Sequence, residues 1–258
     1  MPVFLGKPLI CLDEVDSTQT FLTTHTKYLS QHGLVVIAER QTGGRGRAGR
    51  SFVSPKGTLT FSLVLHPERP PNEVQVYPLF AGLAVARTVE KFGASNIRLK
   101  WPNDVLISGQ KVSGILMENR MIPESVFPVL VMGIGINCCG SNLDFPEELR
   151  PKITLLSEHT KQATDRNSVL NGVLEELEYI LERFDNEGAH KLLKEWSEYA
   201  KIIGTPVNYE QRGCWKKGVI LEITDQGYLM IEREDGTSFQ HVCGDIEYLD
   251  SPYSEKFE

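Results

Sequence analysis

The run Gly43-Gly44-Arg45-Gly46-Arg47-Ala48-Gly49-Arg50 is where this sequence first offers chemistry. Glycines let backbone N–H groups approach an anion, and arginines at alternate and third positions can set planar, permanently charged forks around phosphate or carboxylate oxygens. The same composition also describes a solvated basic loop or an Arg-Gly tract that binds RNA. It is not a Walker loop, because no Gly-Lys-Ser/Thr follows. A second group is Lys100-Trp101-Pro102-Asn103-Asp104, followed by Lys111-Val112-Ser113-Gly114-Ile115-Leu116. A strand, a rigid Pro102 turn and a hairpin bring Asn103, Asp104 and Lys111 to neighbouring places, so that an amide, a carboxylate and a cation share one site. Singly, Asn and Asp are turn formers and lysine is usually solvated. The third group, Met132-Gly133-Ile134-Gly135-Ile136-Asn137, is an apolar strand with glycine gaps and a terminal amide. The gaps admit a ligand or a neighbouring backbone, and Asn137 can meet a purine edge or simply make a turn.

The elements that must position these groups follow from apolar spacing. Leu9 to Val15 reads as a strand, and Asp16-Ser17-Thr18-Gln19 as a helix start with Asp16 as N-cap and Gln19 three residues later. Phe21, Leu22, His25, Tyr28 and Leu29 fall on one helical face, which Gly33 can end. Leu34 to Ala38 is a buried strand, and the glycine-rich stretch from Gln41 to Arg50 follows as a mobile basic loop. Strands are expected at Thr58–Leu65, Ile97–Trp101, Asp104–Ile107, Lys111–Met117 and Val129–Ile136, with a hairpin turn at Ser108-Gly109-Gln110. Helices are expected at Tyr77–Phe92, Ser168–Phe184 and Glu187–Ala200. The result is an α+β fold with a mixed, largely antiparallel sheet and packed helices. From Gly204 onward short β-rich runs (Pro206–Tyr209, Gly218–Ile223, Tyr228–Arg233, Ser238–Val242) alternate with Asp225-Gln226-Gly227 and Glu234-Asp235-Gly236 turns and predict a small β-barrel. The expected division is therefore 1–203, 204–250 and a polar tail at 251–258.

With 258 residues and 41% apolar content, the chain can bury a core. The longest apolar run, near Phe127 to Ile136, is broken by Pro128, Gly133 and Gly135 and falls short of the roughly 20 residues that span a membrane. The N-terminus has no basic start followed by a sustained apolar stretch, so no secretory signal is read and the expected compartment is the cytoplasm. Five scattered cysteines without a C-x-x-C pair argue against a disulfide framework or structural zinc. Adjacent Cys138 and Cys139 read as strand-end thiols rather than a redox pair. A net charge of −7 disfavours a nucleic-acid surface outside the one basic loop.

Taken in order, Asp16-Ser17-Thr18, Gln41 with Gly44-Arg45-Gly46-Arg47-Ala48-Gly49-Arg50, Lys100 to Asp104, Lys111 to Leu116 and Gly133 to Asn137 resemble the biotin–protein ligases throughout their catalytic domain. The last β-rich segment, with Gly244-Asp245-Ile246-Glu247, is similar to their small SH3-like domain. The resemblance implies an enzyme that makes biotinoyl-AMP from biotin and ATP and then transfers the biotinoyl group to a lysine of a biotin carboxyl carrier protein. It implies biotin contacts from Ser17, Thr18, Gln19, Gln41, Gly44, Arg45, Gly46, Arg47, Lys111 and Gly114. ATP and adenylate contacts fall to Arg47, Arg50, Phe52, Asn103, Asp104, Lys111 and Asn137, and the catalytic set is Lys111, Arg47, Arg50 and Asp104.

Physical chemistry is consistent with those roles. Hydroxyls and amides suit a neutral cyclic urea, while Arg47, Arg50 and Lys111 offset the charge that accumulates when a carboxylate attacks an α-phosphate. Phe52 stands where relatives frequently carry a tryptophan against adenine, and still offers an apolar face. Asp104 is the expected aid to deprotonating the acceptor lysine. Magnesium is expected with ATP, with no protein ligands assigned. A lipoate–protein ligase would need a long apolar tunnel and a different glycine loop. Many biotin–protein ligases also repress transcription through an N-terminal winged helix; here the first catalytic strand starts near Leu9, so a monofunctional enzyme without specific DNA binding is expected. Homodimerisation through the catalytic sheet is a further expectation.

Overall fold

The computed structural model describes residues 5–123, 125–161, 164–211 and 213–249; the expected tail at 251–258 lies outside them. Its larger sheet is built from β1 (Leu9–Val15), β2 (Val35–Gln41), β3 (Thr58–Leu65), β4 (Ile97–Lys100), β5 (Asp104–Ile107), β6 (Gln110–Arg120) and β7 (Val129–Asn137). They lie in the order β1-β2-β3-β7-β6-β5-β4. Only the β1–β2 pair is parallel among these neighbours; every other pairing is antiparallel. The α+β class and the largely antiparallel sheet expected from the sequence are both present.

Strand β3 shows why the sheet has two different faces. Leu59, Phe61, Leu63 and Leu65 alternate with Thr58, Thr60 and Ser62, and all are buried. The apolar set joins the main core with α2 (Tyr77–Lys91), α3 (Arg166–Glu187) and α4 (Ala189–Ala200), which supply Phe80, Leu177 and Trp196 among others. On the opposite face, α1 (Thr18–Thr24) covers one end by packing Leu22 with Leu29 and Leu34 against Val36, Val64 and Val131. Thr60 and Ser62 of β3 open onto the rest of that face, beside Gly133 and Gly135 of β7.

Two expectations change. The first helix ends at Thr24 and is followed by a separate 3-10 turn, Thr26–Tyr28, so the residues from Phe21 to Leu29 do not share one continuous helix. Its N-cap is Ser17 rather than Asp16: the Ser17 hydroxyl accepts from the Thr20 N–H at 3.5 Å, while Asp16 accepts from the Ser17 N–H at 2.6 Å. The hairpin between β5 and β6 forms as expected, with Ser108 and Gly109 at φ 50° and 86°, the geometry of a two-residue turn that follows strand twist.

The C-terminal part forms a second sheet from β8 (Pro206–Gln211), β9 (Cys214–Ile223), β10 (Leu229–Arg233), β11 (Ser238–His241) and β12 (Ile246–Tyr248), in the order β11-β10-β9-β8-β12. Strand β12 was not anticipated, because three residues carry no readable alternation; it pairs with β8 and buries Ile246. This sheet docks on the larger one. The Trp101 Nε1–H donates to Gly227 O at 3.0 Å, and the Trp101 ring lies 5.4 Å from His241.

Candidate functional site

A cavity on the open face runs from the start of α1 to the turn before β5. Its first end is neutral. Gln41 Oε1, at the end of β2, accepts from both the Thr18 N–H (2.8 Å) and the Thr18 hydroxyl (3.1 Å). Thr18 Oγ1 lies 2.8 Å from Ser62 Oγ, Ser62 Oγ donates to Gln19 Oε1 at 3.1 Å, and Gln19 Nε2 donates to Val131 O at 2.9 Å. Ser17, Thr18, Gln19 and Ser62 are all buried. An unmatched polar atom there would cost about 1–3 kcal/mol, so the side chains fix one another's orientation. Gly133 makes this possible, since a Cβ there would stand 2.9 Å from Gln19 Oε1.

The middle of the cavity is flat because Gly114 of β6 and Gly135 of β7 face each other across the ladder. The Phe52 ring lies on this patch: a Cβ on Gly135 would come within 2.4 Å of its carbons, and one on Gly114 within 3.5 Å. The gaps expected to admit a ligand or backbone thus accommodate protein side chains here. Gly44 serves the loop itself. It accepts from the Phe52 N–H at 2.9 Å, and a Cβ on it would meet Phe52 O at 2.2 Å.

The other end is charged. The basic stretch folds back on itself through Gly46 N–H to Arg50 O (2.7 Å), with Ala48 at φ 51°. Arg45 makes a two-pronged contact with Glu118, both distances 3.2 Å. Arg47 donates to Asn103 Oδ1 at 3.3 Å, and burial pulls its affinity for its proton below that of an ordinary guanidinium. Arg50 reaches Asp245, just before β12, at 3.1 Å. Lys111 Nζ lies 2.7 Å from Asp104 Oδ1, and Asn103 Nδ2 donates to Ile115 O at 2.8 Å. The Lys111 backbone is fixed on both sides, by Lys152 O at 2.8 Å and the Thr154 N–H at 3.0 Å. The three groups expected to converge after the Pro102 turn, Asn103, Asp104 and Lys111, do line one cavity.

Of the residues expected at the site, Ser17, Thr18, Gln19, Gln41, Arg45, Gly46, Arg47, Arg50, Phe52, Asn103, Asp104, Lys111 and Gly114 line this cavity. Gly44 does not, and Asn137 is buried beneath it, donating to Lys111 O and Thr154 O at 3.3 Å each. Thr60 and Ser62 also line the cavity and were not singled out from the sequence. For β3 a signal existed, the alternation of Thr58, Thr60 and Ser62 with large apolar residues in a fully buried strand. Among the described residues no group of three or more metal-ligating side chains occurs. Cys138 is buried and its thiol is pushed up to about 12 by that burial, as suits an inert strand-end thiol.

Comparison with known proteins agrees with the sequence motifs. The model of the Biotin/lipoate A/B protein ligase family matches residues 11–137. The chain is 33% identical over 233 residues to the bifunctional ligase/repressor BirA of Bacillus subtilis, covering 90% of this chain and 71% of that protein. It is 33% identical over 223 residues to the biotin–[acetyl-CoA-carboxylase] ligase of Mycobacterium tuberculosis, covering 84% and 79% respectively. Its fold superposes with a TM-score of 0.80 on the biotin protein ligase of Aquifex aeolicus in complex with biotin and ATP, at 32% identity over 94% of this chain and 100% of that one. With the larger sheet, the smaller sheet and the ordered motifs all accounted for, the chain belongs to the biotin–protein ligases.

Proposed function

We propose that this ligase forms biotinoyl-AMP within the cavity and transfers biotin to a carrier lysine, with the roles of individual residues divided between the cavity's two ends. The observation that carries this reading is the junction of a neutral, mutually bonded hydroxyl–amide network with the Lys111–Asp104 and Arg47–Asn103 pairs in one cavity. The neutral end suits the ureido head of biotin, whose N–H groups and carbonyl exchange places with the bonds linking Thr18, Gln41, Ser62 and Gln19. The valerate carboxylate then points toward Lys111.

In the first step a carboxylate oxygen attacks the α-phosphorus of ATP, the bond to the β-phosphate oxygen breaks, and pyrophosphate leaves. Lys111, Arg47 and Arg50 counter the repulsion between two anions and stabilise charge that grows in the transition state. Phe52 provides an aromatic face for adenine. Asn137 Oδ1 is buried without a donor among the described residues, which supports a contact with the exocyclic amine of the base. Magnesium enters with ATP as part of that substrate, held by phosphate oxygens and water.

In the second step the acceptor ammonium must lose a proton before attack. Asp104 is the nearest carboxylate to Lys111 and takes or orients that proton once Lys111 has turned to the adenylate. The acceptor is a biotin carboxyl carrier protein or domain, and ATP dependence supports a cytoplasmic setting; among the described residues no helix is long and apolar enough to cross a membrane. Residues 1–203 would act as the catalytic domain and 204–250 as its SH3-like companion. Strand β1, at the sheet edge with Leu9 47% exposed, supports a homodimer formed through the catalytic sheet, which sedimentation would check.

The direct test is incubation with biotin, ATP, magnesium and a biotin-carrier domain, followed by assay for AMP and lysine biotinylation, with lipoate as the control acid. Biotin-dependent AMP formation and a biotinylated carrier are expected. Absence of both, or release of pyrophosphate with lipoate alone, would defeat the reading.

A further inference from the structure

A second cavity lies behind the Arg47–Asn103 hydrogen bond, at the joint between the two sheets. Arg47, Asn103 and Ile115 line both cavities, so the two adjoin at these residues. Its remaining walls include the apolar side chains of Pro78, Leu79, Trp101, Met117, Tyr228 and Val242, contributed by both parts of the chain. Among the described residues, Arg47 is the one formally charged residue lining it. The joint is fixed where Trp101 donates to Gly227 O at 3.0 Å, and Val242, 51% exposed, stands at the mouth.

The first cavity already has two occupants under the ligase reading, biotin and the nucleotide, and the second step still needs a third group. A lysine carried on a folded protein must bring its amine to the anhydride carbon beside Asp104 along a path that biotin and AMP leave free. A four-carbon stem prefers apolar walls, and an ammonium is repelled by a free guanidinium. The second cavity supplies the walls and opens beside Asn103, next to Asp104. Arg47 would bar it until an adenylate phosphate neutralises that charge and draws the guanidinium from Asn103.

We propose that this second cavity is the entry route for the acceptor lysine, with the carrier chain seated against Tyr228 and Val242 of the small domain and the lysine stem passing between Trp101 and Met117. The inference rests on the ligase reading above and adds the path of the protein substrate. The ammonium gives its proton to Asp104 or to water. The amine lone pair then forms the C–N bond to the biotinoyl carbon, the C–O bond to AMP breaks with its electron pair leaving on the phosphate, and the second N–H proton released as the amide forms passes to that phosphate or to water. Because entry requires Arg47 to be paired with phosphate, carrier lysines are admitted after adenylation and excluded before it.

The test uses the full chain with Val242→Arg, which sets bulk and positive charge at the mouth of the second cavity, and Val242→Leu as the conservative control. Three rates are read: biotin-dependent ATP–pyrophosphate exchange, transfer from adenylate to hydroxylamine, and transfer to a biotin-carrier domain. For Val242→Arg we expect kcat/KM for the carrier to fall about tenfold or more, chiefly through KM, as for loss of a buried interface contact. Exchange and hydroxylamine transfer should stay within about twofold, as for an exposed substitution away from the chemistry, and Val242→Leu should retain all three. Carrier transfer unchanged in Val242→Arg, or falling in step with exchange, would overturn the route. Absence of biotin-dependent exchange in the unaltered protein would overturn the ligase reading instead.

Discussion

At one end of the cavity Thr18, Gln19, Gln41 and Ser62 are bonded to one another and to the strand beneath them; at the other, Arg45, Arg47, Arg50 and Lys111 are each held by Glu118, Asn103, Asp245 or Asp104, reaching in from separate elements. The neutral network is buried, so its geometry exists before any ligand arrives. The charged contacts are partly exposed, with Arg50 and Asp245 side chains 59% and 54% accessible. Pairs of that kind contribute no more than about 1 kcal/mol, whereas charge-assisted bonds to phosphate are considerably stronger. The neutral end is therefore a fixed template, and the charged end is a store of cations on exchangeable partners. Loss of a template group should appear in biotin binding, and loss of a stored cation in the rate of chemistry.

The sharpest break would come from Lys111→Ala. Lys111 is expected to touch both reacting anions, so biotin-dependent pyrophosphate exchange should fall about 100-fold or more, as when one preorganised transition-state donor is removed. Its side chain is 32% exposed, but its loss leaves the buried Asp104 Oδ1 unpaired, and stability should fall by about 1–2 kcal/mol. The measurement is exchange kinetics beside thermal unfolding. An increase in biotin KM with kcat preserved would show that the charged end is a binding template as well, and would erase the distinction.

Ser62→Ala probes the other end. Ser62 is fully buried and links Thr18 to Gln19, so its loss leaves both with one partner fewer. About 1–2 kcal/mol of lost interaction corresponds to a biotin KM raised about tenfold. Turnover at saturating biotin should be nearly unchanged. A fall in kcat at constant KM, read in the same exchange assay, would mean that the neutral network acts on the reacting carboxylate rather than on the head of biotin.

The two ends were not equally legible in the sequence. The charged end announced itself, because arginines among glycines and an Asn-Asp-Lys set around one turn are unusual in kind and close in number. The neutral end was carried mainly by the resemblance: Ser17, Thr18 and Gln41 are ordinary residues whose meaning depends on β1, β2 and β3 lying side by side. Ser62 escaped notice although the Thr-Leu-Thr-Phe-Ser-Leu alternation was visible, because a polar stripe in a strand normally faces water. Here Thr60 and Ser62 of the stripe face the cavity. Long elements such as α2, β3 and β7 were fixed by periodicity, while the break after Thr24 and the short β12 depend on tertiary contacts. The place of Phe52 over Gly114 and Gly135 depends on strand register, which spacing alone does not give.

Acid should weaken the support of the charged end, where His241 packs against Trp101. His241 is buried against Trp101, Tyr209 and Phe239, and its affinity for a proton is lowered first by burial and also by the Arg47 charge, with Glu210 opposing. The folded protein thus refuses a proton that the unfolded chain takes near 6.5. The stabilising contribution is complete above that value and is lost as pH falls below it, at about 1.4 kcal/mol for each unit of pH until the folded histidine also titrates. Burial lowers His32 in the same direction. Thermal unfolding between pH 7.5 and 5, on a scale of about half-unit steps, should show a declining midpoint that flattens in part in His241→Phe. An unchanged slope in that variant would assign the acid sensitivity elsewhere.

The smallest effect is expected at the ion pair of Arg50 with Asp245, which joins the basic loop to the segment just before β12. Asp245→Ala removes an exposed partner of Arg50 and should alter stability by less than about 0.5 kcal/mol. If Arg50 is a stored cation, freeing it leaves its charge available to the triphosphate, and KM for ATP should shift by no more than about threefold with biotin KM constant. If Asp245 instead positions Arg50 for the transition state, kcat for exchange will fall while both KM values hold, and Asp245→Glu will restore it. Steady-state exchange kinetics on the two variants decide between a resting partner and an orienting one. The answer determines whether the small domain serves adenylation at all, or only the arrival of the carrier.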